Sequence, residues 1–182
     1  MFPKAHAAAY VIAALRLAWY KIYHPIHFYS AFFTVRGEDI DSASAVKGKE
    51  AVKRQMDEFN NKKKNNQPVT AKEENTYVVN QIVIEMLARG IEFLPVDLYK
   101  SDWRIYKIEG DKIRLPFLAL SGIGGNAAKS LYDAVNDGGG EFLSCDDLMA
   151  RAHVGSAVVD ALRECGALGD LPDSNQISLF GI

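Results

Sequence analysis

The sequence predicts a mainly α-helical fold with a small β element. Three observations indicate this class: apolar residues recur at helical spacing up to residue 90, the period changes to two between 91 and 115, and short helical segments separated by glycine follow. Four units are expected: a helical subdomain (1–90), a β connector (91–115), a second helical unit (116–170) and a flexible tail (171–182). With 182 residues, 48% of them hydrophobic, the chain is long enough to bury a core.

The first unit is expected to begin with two helices that pack as a buried hairpin. Residues 4–24 are apolar on nearly all sides, which is typical of a helix inside a larger body. His24-Pro25 ends this helix, because the residue before a proline avoids helical backbone angles. Residues 26–35 then predict a second helix that is rich in aromatic side chains.

Two further helices are expected in the same unit. Ser42 is a suitable cap for a helix that runs to about residue 60, and the polar segment 60–68 predicts a solvated loop. Thr70 and Glu73 match the capping-box pattern, in which the two side chains bond to each other's backbone amides. The fourth helix is therefore expected to start at this point.

The connector is expected to contain a β-hairpin, and helices resume after it. Residues 105–108 and 112–115 have strand character and flank the turn Glu109-Gly110-Asp111. The helical segments expected beyond the connector are 117–120, 127–135, 146–152 and 156–165.

Composition excludes several classes of protein. Cys145 and Cys165 have neither the number nor the spacing of a disulfide framework or a zinc site. The apolar run 7–15 is too short to span a bilayer, so no membrane segment and a cytoplasmic location are expected. The net charge is −2, but residues 116–182 hold three Lys or Arg against nine Asp or Glu. Non-specific DNA affinity comes mainly from neutralised phosphates, so this half alone should bind DNA weakly.

A Gly-Ile-Gly turn is the strongest candidate for chemistry. Residues 118–131 match the helix-hairpin-helix pattern, in which the glycines allow a tight turn and Ile123 fixes it to the core. The turn amides and the start of the next helix then point at a phosphate of duplex DNA. The residues expected to contact DNA are Ser121, Gly122, Ile123, Gly124, Gly125, Asn126 and Lys129. A turn that serves only helix packing is the alternative.

Residues 142–169 resemble a second, degenerate copy of this motif. His153-Val154-Gly155-Ser156 stands in the place of the turn, and one glycine is missing. The copy is expected to complete a compact pseudo-two-fold unit with the first one. A weaker contact to the opposite DNA strand through the amides of Gly155 and Ser156 is the alternative.

The end of the chain carries a candidate docking peptide. Gln176, Ile177, Ser178, Leu179 and Phe180 follow a polar, turn-forming segment, so the apolar pair is expected to be buried in a partner. The pattern Gln-x-Ser-Leu-Phe resembles the pentapeptide by which bacterial replication and repair proteins dock on the sliding clamp. Ile177 stands where that motif more often has leucine.

Three segments together resemble one family. The opening residues 2–10, the turn Gly122-Ile123-Gly124 and the terminal 176–180 occur in this order in the replicative DNA polymerase III alpha subunit of the PolC type. The resemblance covers the whole chain and implies the C-terminal part of that polymerase: a fingers segment, a duplex-binding helix-hairpin-helix and a clamp-binding tail. It also implies that Lys4 and His6 face nucleotide or template.

The resemblance implies partners and a cofactor outside this polypeptide. The family's palm holds magnesium ions with closely spaced aspartates, and no such set is found here, so no catalytic residue, no metal site and no polymerase activity are expected in this chain. Magnesium is expected for the parent polymerase. The expected partners are primer-template duplex DNA, the sliding clamp and the rest of the polymerase. A stand-alone DNA repair or recombination accessory protein with a clamp-binding tail is the alternative.

Overall fold

The computed structural model describes residues 3–174 and confirms a mainly α-helical fold with a small β element. Its α-helices are α1 (Lys4–Tyr23), α2 (Pro25–Arg36), α3 (Ser42–Lys47), α4 (Lys49–Lys64), α5 (Ala71–Ala88), α6 (Gly125–Val135), α7 (Cys145–Ala152) and α8 (Ser156–Glu164). The three short strands are β1 (Phe93–Leu94), β2 (Lys107–Glu109) and β3 (Lys112–Arg114). One continuous cluster of buried side chains joins the elements from α2 to α8.

Helix α1 has the expected bounds, but the prediction that it is buried is wrong for the described part of the chain. None of its residues is buried, and Tyr10 and Leu15 each keep 65% of their surface exposed. The helix packs against α2, and its last turn is tied to α5 by an ion pair of 2.6 Å between Lys21 and Glu85. The sequence pattern identified an apolar helix correctly but gave no sign that its side chains stay exposed among residues 3–174. Within residues 3–174, no helix has the length and apolar character needed to cross a membrane.

Helix α2 supplies the aromatic centre of the core. Tyr29 and Phe33 are fully buried, and the ring of Phe33 contacts the rings of Phe93 and Tyr106 with centroids 5.1 and 5.8 Å apart. Tyr106 also donates a hydrogen bond of 3.2 Å from its hydroxyl to the carbonyl of Gly37, at the end of α2. These contacts fix α2 to the connector.

The single helix expected from Ser42 to about residue 60 is divided in two. Gly48 separates α3 from α4 with a φ of +92°, a left-handed backbone that interrupts helical hydrogen bonding. Helix α4 then continues to Lys64, so the loop expected at 60–68 begins only at Asn65. Lysines favour the C-terminal turn because they offset the helix dipole, and Lys62 also pairs with Glu73 of α5 at 2.6 Å.

The predicted capping box at the start of α5 is confirmed. The backbone amide of Glu73 donates to Thr70 Oγ1 at 3.2 Å, and the Thr70 amide donates to Glu73 Oε2 at 2.8 Å. Hydrogen bonds from Lys62 and from Thr70 lower the pKa of Glu73 from 4.5 to about 2. This carboxylate therefore caps α5 in its charged form.

Acid is expected to weaken this cap. A pKa that is lower in the folded protein stabilises the fold above the unfolded value of 4.5, and the contribution is lost as the pH falls from there to about 2. The melting temperature of the wild type should exceed that of Glu73→Gln most at pH 6, and the gap should close toward pH 2. Glu141→Gln, at an exposed carboxylate, is the control and should show no such gap. A constant gap between wild type and Glu73→Gln would contradict the assignment.

The connector forms a three-stranded sheet in the order β1-β3-β2. Strands β2 and β3 make the predicted hairpin around Gly110, whose φ is +62°, and β1 adds a parallel pairing of Phe93 with Ile113. Arg114 lies almost buried behind the hairpin and donates to Glu109 Oε2 at 2.7 Å and to the Pro95 carbonyl at 2.8 Å. The sheet thus connects the two helical parts of the chain.

The helical segment expected at 117–120 is only a single 3-10 turn, Phe117–Ala119. The backbone amides of Phe117 and Leu118 donate to the carbonyls of Asp102 and Trp103, at 2.9 and 3.0 Å. Because these amides bond to the connector, they hold the segment against it as one short turn. The first arm of the predicted helix-hairpin-helix is therefore short.

Candidate nucleic-acid interface

The Gly-Ile-Gly turn has the geometry that its residue types require. Gly122 adopts a left-handed φ of +87°, and Ile123 turns its side chain into the core while its amide donates to the Leu120 carbonyl at 3.2 Å. Gly124 is the N-cap of α6. The turn therefore brings the exposed residues Ser121, Gly122, Gly124, Gly125 and Asn126 to one place at the start of α6.

The N-terminus of α6 is open to solvent. The first bond of the helix runs from the Ala128 amide to the Gly124 carbonyl at 2.9 Å, so the amides of Gly125, Asn126 and Ala127 have no acceptor among the described residues. Gly124 offers no capping side chain, and the first turn contains no acidic residue. Unpaired amides and the positive end of the helix dipole form a site for an anion such as phosphate.

The fold itself does not require glycine at position 124. Its φ is −80°, which any residue adopts, and a Cβ built there would meet no atom within 4 Å. A Cβ at Gly125 would likewise meet nothing within 4 Å. Where the fold does not require a glycine, the absence of a side chain indicates that a ligand outside the described residues approaches the backbone closely.

The second, degenerate turn repeats this backbone. His153, in the position of Gly122, has a left-handed φ of 52°, and Gly155 caps α8 with a φ of −87°, as Gly124 caps α6. The amide of Val158 donates to the Gly155 carbonyl at 3.0 Å, and α8 has neither a capping side chain nor an acidic first turn. The missing glycine has therefore not changed the conformation, and α8 presents a second open N-terminus.

Helix α7, which lies between them in sequence, is closed in contrast. Ser144 caps it by accepting from the Asp147 amide at 3.1 Å. The carbonyls of Pro172 and Asp173 accept from the first two amides of the helix, at 2.8 and 3.1 Å. Within residues 3–174, the first amides of α6 and α8 thus have no acceptor, whereas those of α7 are satisfied by the chain itself.

Two of the three cations in this unit are occupied by structural contacts. Arg151 pairs with Asp137 at 2.9 Å and lies 4.4 Å from the centroid of the Phe142 ring, and Arg163 pairs with Asp173. The Gly139 amide and the Arg151 guanidinium hold the pKa of Asp137 below its ordinary value. Lys129 is exposed on α6 and forms no ion pair with residues 3–174. It is the cation left to meet a phosphate beside the open amides.

The remaining predicted site residues are not brought to this turn. Lys4 and His6 lie in the first turns of α1, whose packing partner is α2, and the ring of His6 contacts that of Tyr10 at 4.6 Å. Their expected roles stay predictions. The candidate docking peptide, Gln176, Ile177, Ser178, Leu179 and Phe180, lies outside the described residues, and its role also stays a prediction. Within residues 3–174, no three His, Cys, Asp or Glu side chains are grouped to hold a metal ion.

Sequence reasoning missed the features that distinguish α7 from its neighbours. The spacing of Ser144 and Asp147 is close to a capping-box signature, and it could have predicted that the N-terminus of α7 is capped by its own side chain. The contacts of Pro172 and Asp173 join parts of the chain more than 25 residues apart and leave no local signal.

Comparison with known proteins agrees with this geometry. A family model described as a helix-hairpin-helix motif matches residues 90–177. The PolC-type DNA polymerase III of Listeria innocua is 47% identical over 180 residues, which cover 99% of this chain, and that of Clostridium perfringens is 46% identical over 182 residues, or 100%. The chain spans about 12% of the length of each. Over its whole length, the chain is therefore homologous to a segment of PolC-type DNA polymerase III.

Proposed function

We propose that this chain is the C-terminal part of a bacterial replicative DNA polymerase and holds duplex DNA through the turn before α6. The observation that best supports this proposal is the N-terminus of α6. Its first amides have no acceptor among the described residues, and the fold does not require its N-cap residue, Gly124, to be glycine. Backbone amides contact phosphates without reading the base sequence, which suits a protein that must travel along any template. The Gly155 turn before α8, which has the same open backbone, would hold a second phosphate in the same way.

Helix α1 supports the proposal that the chain works inside a larger protein. A helix that exposes large apolar side chains on all sides requires a cover, and the PolC-type relatives are far longer than this chain. We assign that cover to the rest of the polymerase, which would also supply the metal-binding aspartates and magnesium. Lys4 and His6 would then face nucleotide or template from the fingers. A stand-alone accessory protein would leave this apolar helix in water, which disfavours that alternative.

Duplex binding is expected to depend on Lys129. Removing one phosphate-contacting charge lowers the salt dependence, so Lys129→Ala should reduce the slope of log affinity against log salt by about 0.9 and weaken binding uniformly across sequences. The measurement is fluorescence anisotropy of a labelled blunt duplex between 50 and 200 mM salt. Lys112→Ala, which removes a cation paired with Glu92 on the hairpin, is the control and should leave the slope unchanged. Failure of the wild-type chain to bind duplex would refute the proposed function.

Clamp docking is proposed for the tail. Gln176 would bond at the rim of a clamp pocket, while Leu179 and Phe180 would fill its apolar interior. Changing both Leu179 and Phe180 to alanine should lower affinity for purified sliding clamp at least tenfold and leave duplex binding unchanged, as measured by surface plasmon resonance. Ile177→Ala, between the anchors, is a milder control. Equal clamp binding by wild type and double variant would remove the tail from the proposal.

A further inference from the structure

A cleft beside the duplex-binding turn has no role in the function proposed so far. It lies between α4 and α5, has a volume of about 330 Å³, and opens to solvent on one side. The residues that line it and matter here are Asp41, Gln55, Phe59, Tyr77, Asn80 and Ser121. Because Ser121 belongs to both the cleft and the Gly-Ile-Gly turn, a nucleic acid held at the turn would pass the mouth of the cleft.

One wall of the cleft is aromatic. The rings of Phe59 and Tyr77 stack with centroids 4.6 Å apart and an angle of 22° between their planes. Phe59 on α4 is buried, whereas Tyr77 on α5 is partly exposed. A flat aromatic ring supported from behind is the platform on which proteins stack unpaired nucleobases.

A buried chain of amides lies beside the aromatic pair, about one turn along the same two helices. Asn80, only 2% exposed, donates from Nδ2 to Gln55 Oε1 at 2.7 Å, and Gln55 donates from Nε2 to Asp41 Oδ2 at 2.9 Å. The same Asp41 oxygen also accepts from the Ser44 hydroxyl at 2.7 Å, and because this carboxylate oxygen accepts, Gln55 must turn its N–H toward it and its Oε1 toward Asn80. Asn80 Oδ1 then has no donor among the described residues, and one N–H of Gln55 has no acceptor. A free acceptor beside a free donor matches the hydrogen-bonding edge of a base.

The charged residues around the cleft are mixed in sign. Lys62 and Lys72 line it together with Asp41, Glu58 and Glu73. Lys62 is paired with Glu73 at 2.6 Å and Lys63 with Glu74 at 3.1 Å, whereas Lys72 is exposed and forms no ion pair with residues 3–174. Lys72 is therefore the lysine of the cleft that is left to contact a phosphate of a single strand.

We propose that the α4–α5 cleft binds the base of an unpaired nucleotide next to the duplex held at the α6 turn. The base stacks on Tyr77, its polar edge meets Gln55 and Asn80, and its phosphate lies near Lys72. The volume suits one nucleobase with its sugar. This inference rests on the proposed function for the source of the nucleotide, but the cleft can be tested without any duplex.

The first experiment uses a single-stranded oligonucleotide that carries one 5-iododeoxyuridine. Irradiation with the 182-residue chain, followed by peptide mass spectrometry, should map the crosslink to Tyr77 or Phe59. Tyr77→Leu should lose the crosslink, whereas Tyr77→Phe, which keeps the ring, should retain it. Tyr23→Leu, at an exposed tyrosine on α1, is the matched control and should crosslink like the wild type. Crosslinks only outside α4 and α5 would overturn the inference.

The second experiment compares a blunt duplex with the same duplex bearing a short single-stranded extension. The wild type should prefer the extended DNA by about tenfold, the contribution of one stacked base. Tyr77→Leu should lose this preference and keep its affinity for the blunt duplex. Lys72→Glu, at an exposed lysine, should reduce the preference severalfold without affecting the melting temperature. Equal binding of both DNAs by the wild type would overturn the inference.

The two experiments separate this inference from the function on which it rests. A crosslink at Tyr77 without any binding of blunt duplex would refute the α6 contact and support the cleft. If the chain binds blunt duplex but gives no crosslink in the cleft and shows no preference for the extension, the α6 contact is supported and the cleft is refuted as a base-binding site.

Discussion

Substituting aspartate for Gly124 is expected to weaken duplex binding at least tenfold while leaving the protein at least as stable as the wild type. Position 124 is the N-cap of α6, has an ordinary φ of −80° and has room for a side chain. Aspartate is among the best N-cap residues, and it would accept from the free amides and offset the helix dipole, adding about 0.5 to 1 kcal/mol to the free energy of unfolding. The same carboxylate would occupy the phosphate position and repel DNA.

The measurement pairs thermal melting with anisotropy on labelled duplex. Affinity should fall at least tenfold, about 1.4 kcal/mol, while the melting temperature stays equal or rises. Gly155→Asp makes the same change at the second turn, so any loss of affinity there reports a contact to DNA by that turn. If Gly124→Asp is stabilised and binds duplex as the wild type does, the turn serves packing only, which was the alternative left open by the sequence.

Substituting alanine for Gly37 is expected to destabilise the fold strongly. Gly37 ends α2 with a φ of −77°, so its backbone does not require glycine. A Cβ there would come within 2.6 Å of Cε2 and Cζ of Tyr106, whose ring is buried. Overfilling a packed core costs about 1 to 3 kcal/mol, and the clash also threatens the hydrogen bond from the Tyr106 hydroxyl to the Gly37 carbonyl. Chemical denaturation measures the loss.

A double-mutant cycle identifies the cause of that loss. Tyr106→Leu alone leaves a cavity and should be destabilising, but adding Gly37→Ala to it should cost far less than Gly37→Ala costs the wild type. Gly125→Ala, where a Cβ would meet nothing within 4 Å, is the control and should be neutral or slightly stabilising. Additive losses in the cycle would show that the Tyr106 ring is not what excludes a side chain at Gly37.

The fold was predictable where local chemistry decides it. Proline at position 25 and the capping box at Thr70 and Glu73 set helix boundaries from a few adjacent residues. The errors arose where distant segments decide. The 3-10 turn at 117–119 depends on carbonyls of residues 102 and 103, and α1 is exposed because residues 3–174 offer it few packing partners besides α2.

In the candidate site, too, local features could be predicted from the sequence and features set by distant residues could not. The Gly122-Ile123-Gly124 turn is a local structure, and its residue types alone indicated its shape. Among the three cations of residues 116–170, Lys129 is recognised as the one without an ion pair to residues 3–174 only once Arg151 and Arg163 are seen to pair with Asp137 and Asp173. The wall formed by Gln55 and Asn80 unites two helices whose residues have no common sequence pattern.

The strap of residues 172–173 across the start of α7 limits where the chain can be cut. Shortening the protein before Pro172 would strip the acceptors from the first two α7 amides, one of which belongs to buried Cys145, and would leave Arg163 without Asp173. A protein shortened in this way to remove the candidate docking peptide would lose α7 packing together with the peptide. Chimeras and tags that exchange the tail should therefore join after Ser174, where the proposed docking can be tested without loss of fold.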